Sequence, residues 1–285
     1  MSTQGELRPA RLSAPTRKRL VHGGLIAVAL VYVGTLVLAP LVGITWAATR
    51  AGWHTWSATF ADPTARHAYV LTGVITLVTV VVTAILGVVV ALVLSRDLFP
   101  GRGLLSAVAD LPIAISPVIV GLMAVLLFGT GGWFESWFSA RGIRILFAVP
   151  SIAIVTLFIC IPFVIREVTP ILQELGTEEE QAAKTLGATS LQTFFRVTLP
   201  NIRWGLLYGI ALSTARAIGE VGAVVVVSGL IAGQTETATL FILRAFDQFH
   251  DETGYVVALT LAMVSIVLLA GIEIFKHREE KELSR

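Results

Sequence analysis

Six long apolar runs, separated by polar segments, organise the 285 residues of the chain. They cover about 20–47, 70–95, 104–129, 145–165, 204–230 and 255–275. Each exceeds the roughly 18 residues that a helix needs to cross a bilayer core. No segment alternates apolar and polar residues with a period of two, as membrane strands must. The pattern predicts an all-α membrane protein with six transmembrane helices. The connecting segments are 48–69, 96–103, 130–144, 166–203 and 231–254.

Composition supports a membrane protein. The chain is 55% hydrophobic and only 14% charged, where a soluble chain carries about 25% charged residues. Its mean hydropathy is +0.82. The net charge of +2 hides a strong asymmetry. With the N-terminus inside, the inner segments hold Arg8, Arg11, Arg17, Lys18, Arg19, Arg96, Arg102, Arg166, Lys184, Arg196, Arg203, Lys276, Arg278, Lys281 and Arg285. The outer ones hold Arg50, Arg66, Arg141, Arg144 and Arg244, and Arg216 falls within a run. Cytoplasmic loops are the Lys- and Arg-rich ones, so both termini are expected in the cytoplasm. Trp46, Trp53, Trp56, Trp133 and Trp137 then fall at or beyond the outer ends, as an interfacial belt does.

Residues 1–19 read as a basic cytoplasmic tail and 276–285 as a charged one. Basic residues before an apolar run also mark signal peptides, but the run at 20–47 exceeds an h-region of about 7–15 residues. It is expected to remain as the first transmembrane helix.

The longest inner segment, 166–203, contains EEEQAAKTLGATSLQTFFRVTLP at 178–200. Structureless loops of such length are uncommon and usually functional. Thr177 followed by Glu180 fits a capping box that opens a helix over 178–186. Gly187 suits the left-handed turn after a helix. Thr189 with Gln192 offers a second box. Leu191, Phe194 and Phe195 lie at i, i+3 and i+4 and form one apolar face. Pro200 is expected to stop the second helix. The stretch therefore reads as a helix–Gly–helix hairpin on the cytoplasmic face. It either lies against the chain's own spans or docks a cytoplasmic partner.

Inside the fifth run, Arg216 and Glu220 stand four residues apart on one helix face and can pair. Intramembrane charges usually face a protein interior or a water path. The two residues either line and gate a pathway or clamp the structure. Asp110 is expected to bond backbone groups freed by Pro112 and Pro117, and Pro162 to kink the fourth span. Glu273 is expected to snorkel or meet a partner. Cys160 reads as a buried apolar residue. The five histidines show no metal-ligand spacing. No phosphate-binding G-x-x-x-x-G-K-[ST] motif occurs, so the chain is not expected to hydrolyse ATP or to act as an enzyme by itself. It calls for no cofactor, metal or nucleic acid of its own.

The inner segment resembles a family loop. Permease subunits of binding-protein-dependent ABC importers carry EAA-x3-G-x9-I-x-LP in a cytoplasmic loop. Here Gln181-Ala182-Ala183, Gly187, Val197, Leu199 and Pro200 keep every spacing. Gln181 replaces the usual Glu and Val197 the usual Ile. DLPIAISPVIVG (110–121), RVTLPNIRWGLLYG (196–209) and ARAIGEVGAVVVVSG (215–229) are similar to the CysW-type permease subunits of sulfate/thiosulfate importers. Val221 stands where that pattern has Phe, and 234–254 matches only loosely. The resemblance covers about 66–275.

The resemblance implies a type-1 ABC importer permease fold over 66–275, with 166–203 as its coupling loop. It implies sulfate or thiosulfate as cargo, with molybdate or tungstate the close alternative. The implied partners are a cytoplasmic ABC ATPase homodimer that uses the ATP, a second, T-type permease subunit, and an extracytoplasmic sulfate-binding protein. Membrane lipid surrounds them in the cytoplasmic (inner) membrane. The implied coupling residues are Glu180, Gln181, Ala182, Ala183, Gly187, Leu199 and Pro200. Leu191, Phe194 and Phe195 would hold the hairpin to the membrane domain. An ion-coupled secondary transporter, the reading from a different class, predicts inverted repeats and broken helices at the midplane.

Overall fold

The computed structural model describes residues 14–97 and 99–283, with side chains for 22–97, 99–271 and 274. The basic residues at 8, 11 and 17–19, the charged tail at 276–285 and Glu273 are named above but lie outside the described side chains. Among the described residues the chain is helical and contains no strand. Its helices are α1 (Ala14–Arg50), α2 (Gly52–Ala61), α3 (Pro63–Arg96), α4 (Arg102–Ala114), α5 (Pro117–Phe128), α6 (Glu135–Ser139) and α7 (Val149–Leu175). There follow α8 (Glu178–Thr185), α9 (Ser190–Thr193), a π-helical turn at Phe194–Thr198, α10 (Leu199–Ile218), α11 (Gly222–Val227), α12 (Ala238–Asp247) and α13 (Asp251–Leu283).

Among the described residues, four helical stretches are long and apolar enough to cross a membrane: His22–Arg50, Pro63–Arg96, Val149–Leu175 and Asp251–Gly271. The third apolar run is two helices, α4 and α5, bent by 112° where Ile115 and Ser116 leave the helix. Pro112 lies inside α4 and Pro117 opens α5. A proline at a first helical position gives up no intrahelical bond, so the chain can restart there in a new direction. By contrast, α7 runs through Pro162 and Pro170 without interruption.

The fifth run, expected as one helix, is also divided. α10 ends at Ile218, residues 219–221 are not helical, and α11 begins at Gly222. The Glu220 carboxylate accepts from the Ala223 N–H at 2.9 Å, and its backbone carbonyl accepts from the Thr239 hydroxyl at 2.9 Å. Side chains thus satisfy the groups that the break frees.

The two interrupted runs pack on each other through α5 and α11. A Cβ on Gly222 would lie 3.0 Å from Pro117 Cβ, and one on Gly121 would lie 2.8 Å from Val226 Cβ.

The fourth run was expected to end at 165, but α7 continues to Leu175. Hydropathy marks where a helix meets polar surroundings, not where its hydrogen bonds end. Val168 and Leu172 continue the buried face of Val164, so packing carries the helix onward. The polar segment that follows therefore starts at Gly176.

α7 forms the centre of the bundle, between α3 and α10. Small residues allow this closeness, as at helix interfaces in membranes. A Cβ on Gly87 of α3 would lie 2.7 Å from Val164 Cβ. One layer of the core gathers Ile152, Val155, Val224, Val227 and Leu240. Another gathers Val88, Ala91, Val164, Val168, Leu172 and Ile202. α1 stands apart, touching α2 and α13 and leaving Leu25, Val31 and Leu36 exposed.

Candidate functional site: the polar hairpin and the ion pairs of the bundle

α8 and α9 form a hairpin at one end of the bundle. α8 carries Glu178, Glu179 and Glu180 in its first turn and Lys184 in its last, which suits the helix dipole at both ends. Gly187 turns the chain with φ +87, and the Ala188 N–H reaches back to the Ala183 carbonyl at 3.0 Å. Thr189 and Gln192 form a reciprocal capping box that starts α9.

The hairpin differs from its sequence reading in four respects. Thr177 makes no side-chain cap to the α8 backbone; its hydroxyl accepts from Gln181 Nε2 at 2.9 Å. Its own backbone angles, φ −116 and ψ 3, do not aim the side chain at the helix start. Glu180 is consequently not the second half of a box.

Pro200 does not stop a helix. The π turn at Phe194–Thr198 carries the chain into α10, and Pro200 occupies that helix's first turn, where no N–H is required. The Leu199 N–H reaches the Phe194 carbonyl five residues back. This wider spacing shifts the side chains that follow; before it, the inward face runs through Thr193, Phe194, Val197 and Thr198, which splits the expected apolar face. Phe194 packs on the core layer of Val168 and Leu172, with Leu199 beside it, whereas Leu191 and Phe195 are exposed.

Helix α8 ends at Thr185, and Leu186 at the hairpin tip is 89% exposed. Leu186, Leu191 and Phe195 thus present apolar surface outward, next to exposed Gln181 and Ala182 and half-buried Ala183.

A polar cluster ties the hairpin to the bundle. Arg96, the last residue of α3, donates from Nη1 to the Leu172 carbonyl of α7 at 2.9 Å. From Nη2 it donates to Glu180 Oε1 at 3.0 Å. Thr198 Oγ1 donates to the same carboxylate oxygen at 2.9 Å. The Arg96 and Glu180 side chains are only 16% and 17% exposed. Nearby, Asn201 Nδ2 of α10 donates to Glu179 Oε2 at 2.6 Å. Glu180 therefore faces inward. Sequence reasoning missed Arg96 because 84 residues separate the partners.

Other ion pairs lie in the bundle. Arg216 Nη1 meets Glu220 Oε2 at 2.6 Å; Glu220 is buried and Arg216 is about one-third exposed. The pair spans the end of α10 instead of lying along one helix face, because Glu220 falls in the break. Asp110 does not serve backbone groups freed by the prolines; it receives Arg166 Nε of α7 at 2.7 Å. Both side chains are about half exposed, so the pair lies on the surface of the chain. A buried Glu236 receives Arg244 in a two-bond fork, 2.6 and 2.9 Å. Nothing in the spacing of Glu236 and Arg244 marks that pair, which forms by folding 231–237 back onto α12.

Cys160 is buried in α7 and Ser213 in α10; the Ser213 hydroxyl donates to the Cys160 carbonyl at 3.2 Å. Among the described residues no three His, Cys, Asp or Glu side chains converge to hold a metal.

The fold and the sequence both match known proteins. Residues 83–273 match the family described as "Binding-protein-dependent transport system inner membrane component". The chain is 46% identical over 254 residues to a sulfate transport system permease protein CysW of Synechocystis sp., covering 89% of this chain and 92% of that one. It is 43% identical over 252 residues to the protein of the same name from Synechococcus elongatus, covering 88% of each. The fold matches a chain of a bacterial alginate ABC transporter solved in complex with an alginate pentasaccharide-bound periplasmic protein. The TM-score is 0.77 at 16% identity, over 94% of this chain and 98% of that one. The chain belongs to the family of inner-membrane components of binding-protein-dependent transport systems, with the type-1 ABC importer permease fold.

Proposed function

We propose that this permease forms half of a translocation pathway for sulfate, with thiosulfate as a second cargo. The observation that carries the cargo is the 46% identity to a sulfate permease across nearly the whole of both chains. Molybdate or tungstate is the alternative oxyanion class. Family membership replaces the ion-coupled secondary transporter, although two apolar runs are broken as that reading expects. A second permease subunit completes the pathway, and an extracytoplasmic binding protein delivers the anion.

In this reading the chain crosses the membrane six times. The crossings are α1, α3, the bent pair α4–α5, α7, the divided α10–α11, and α13. Both ends and the hairpin lie in the cytoplasm. The excess of Lys and Arg in the inner segments supports this orientation. So do the exposed Trp46, Trp53, Trp133 and Trp137, all at the end of the bundle away from the hairpin.

The hairpin is the docking element for a cytoplasmic ATPase. Leu186, Leu191 and Phe195 supply the apolar contact, and Ala182 and Ala183 allow close approach. Gln181 adds hydrogen bonding without charge. Gly187 fixes the angle between the limbs, while Leu199 and Pro200 carry the movement into α10. The ATP is bound and hydrolysed by that partner. Arg216 and Glu220 stand at the break in the fifth crossing, where a pathway can narrow.

Labelled sulfate uptake tests the cargo, measured with and without this subunit and challenged by thiosulfate and by molybdate. Sulfate uptake that requires the subunit, with strong thiosulfate competition, is expected. Strong competition by low molybdate with weak competition by thiosulfate would overturn the sulfate assignment. Co-purification tests the partner: a tagged chain that never retains an ATPase would remove the docking role of the hairpin.

A further inference from the structure

The first limb of the hairpin has few anchors. The main packing partners of α8 are α9 and the π turn, both within the hairpin itself. Leu186 at its tip is almost fully exposed, and α8 has no buried residue. Its link to the centre of the bundle is polar. Glu180 receives Arg96, and Arg96 at the same time holds the Leu172 carbonyl near the end of α7. One guanidinium therefore joins α8, the end of α3 and the end of α7. Thr198 on the same carboxylate oxygen adds the approach to α10. Two donors, Arg96 and Thr198, thus tie one acidic side chain of α8 to the ends of α3 and α7 and to the approach to α10.

The cluster is shielded, with both charged side chains under one-fifth exposed. Water and salt screen such a pair less than a surface pair. A guanidinium is a planar fork that fixes direction as well as distance. Arg96 Nε is buried without a hydrogen-bond partner. The fork therefore holds a donor in reserve that a shifted carboxylate or carbonyl can take up. A linkage of this kind can pass a displacement without coming apart.

We propose that Arg96 is a positioning residue for energy coupling. Through Glu180 it makes α8 move as one body with the inner ends of α3 and α7. Movement of a docked ATPase then reaches the α3–α7–α10 core directly, and not only through the chain connections of the hairpin. Without the latch, α8 still docks but keeps only the exposed Asn201–Glu179 bond to α10, and it swings on Gly176 and Gly187, two glycines with positive φ on either side of it. ATP hydrolysis then continues while the pathway fails to follow. This inference rests on the docking role proposed above.

The test uses the complete transporter in proteoliposomes: this chain, its second permease, the ATPase and the binding protein. The ATP hydrolysed per labelled sulfate imported is measured for wild type, Arg96→Gln, Glu180→Gln and the double variant. Each single variant is expected to retain the ATPase on purification. Each is expected to raise the ATP cost per sulfate by about tenfold, the scale of an ordinary coupling free energy between sites. The double variant is expected to match the single ones, because all three lose the same contact. Arg96→Lys, which keeps the charge, is expected to recover part of the coupling.

Unchanged stoichiometry in both single variants would overturn the latch. So would additive effects in the double variant, or equal losses of hydrolysis and transport with the ATPase released. Failure of the wild-type complex to retain an ATPase or to import on ATP would instead overturn the docking reading beneath it. If Arg96→Gln does not assemble, Glu180→Gln alone decides, since it changes no side chain at the core.

Discussion

Gly209 lies flat against Val164: a Cβ at position 209 would fall 2.9 Å from Val164 Cα. On the other side of the same valine, Gly87 leaves equally little room. Val164 is thus held between α3 and α10, and the three central helices are set at backbone distance. A side chain at either glycine has no flexible neighbour to displace, only the wall of α7.

Gly209→Val should therefore separate α7 from α10. Overpacking of a dense core costs about 1–3 kcal/mol. A clear fall in melting temperature in detergent is expected, with weaker retention of partner subunits. Gly43→Ala, where nothing lies within 4 Å, serves as the control and should leave the melting temperature unchanged. Equal melting of both variants would contradict the close packing described.

Gly187 turns the hairpin with φ +87, and space around it is open. The objection to a larger residue is therefore conformational, not steric crowding. A β-branched residue held in this region costs on the order of 1–3 kcal/mol. Gly187→Val is expected to distort the angle between α8 and α9 and to uncouple uptake from ATP hydrolysis. Gly187→Asn, which tolerates the left-handed region, should retain most coupling. Parallel uptake and ATPase assays distinguish these outcomes.

Arg216 holds a carboxylate that is almost wholly buried. Removing one partner of a buried pair costs about 3–5 kcal/mol, most of it from the charge left behind. Arg216→Gln is expected to lower stability sharply, and Arg216→Gln with Glu220→Gln to recover much of it. If the double variant is stable yet imports poorly, the pair acts in transport. If it imports normally, the pair is a structural clamp. Thermal melting and uptake on the same preparations separate the two.

Gln181 is exposed, and its side chain bonds Thr177. Gln181→Glu restores the acidic residue usual in the loop. Exposed substitutions of this kind usually change stability by no more than about 0.5 kcal/mol. Uptake and ATPase retention are expected to stay near wild type, because in the proposed docking the apolar tip carries the contact. Leu186→Asp or Phe195→Asp should by contrast release the ATPase while the permease melts normally. A large effect of Gln181→Glu with no effect of Leu186→Asp would reverse that ranking.

Much of this was legible in the sequence wherever the signal is local. The capping box of Thr189 and Gln192 needs only a spacing of three, and the turn at Gly187 only a glycine. The apolar runs at 20–47 and 70–95 announce α1 and α3. What escaped were relations set by packing. Glu180 looked like half of a cap because Arg96 lies 84 residues away. Asp110 was assigned to nearby prolines, whereas its partner Arg166 comes from another helix, 56 residues on. The break at 219–221 carries one glycine in an apolar run. It becomes a helix end only because Glu220 and Thr239 satisfy its backbone. Periodicity likewise assigned Leu191 and Phe195 to the buried side, whereas the inward face carries two threonines, Thr193 and Thr198, that an apolar pattern does not mark.

The bend before Pro117 and the break before Gly222 sit back to back. Two apolar runs are thus interrupted side by side, and their second parts, α5 and α11, pack as a pair. α3 and α7 run unbroken. The bundle is consequently a stiff spine beside a jointed limb, and the limb has one seam instead of two independent elbows. Any rearrangement that opens it must shear along the Pro117–Gly222 contact, where one added methyl group would act as a wedge.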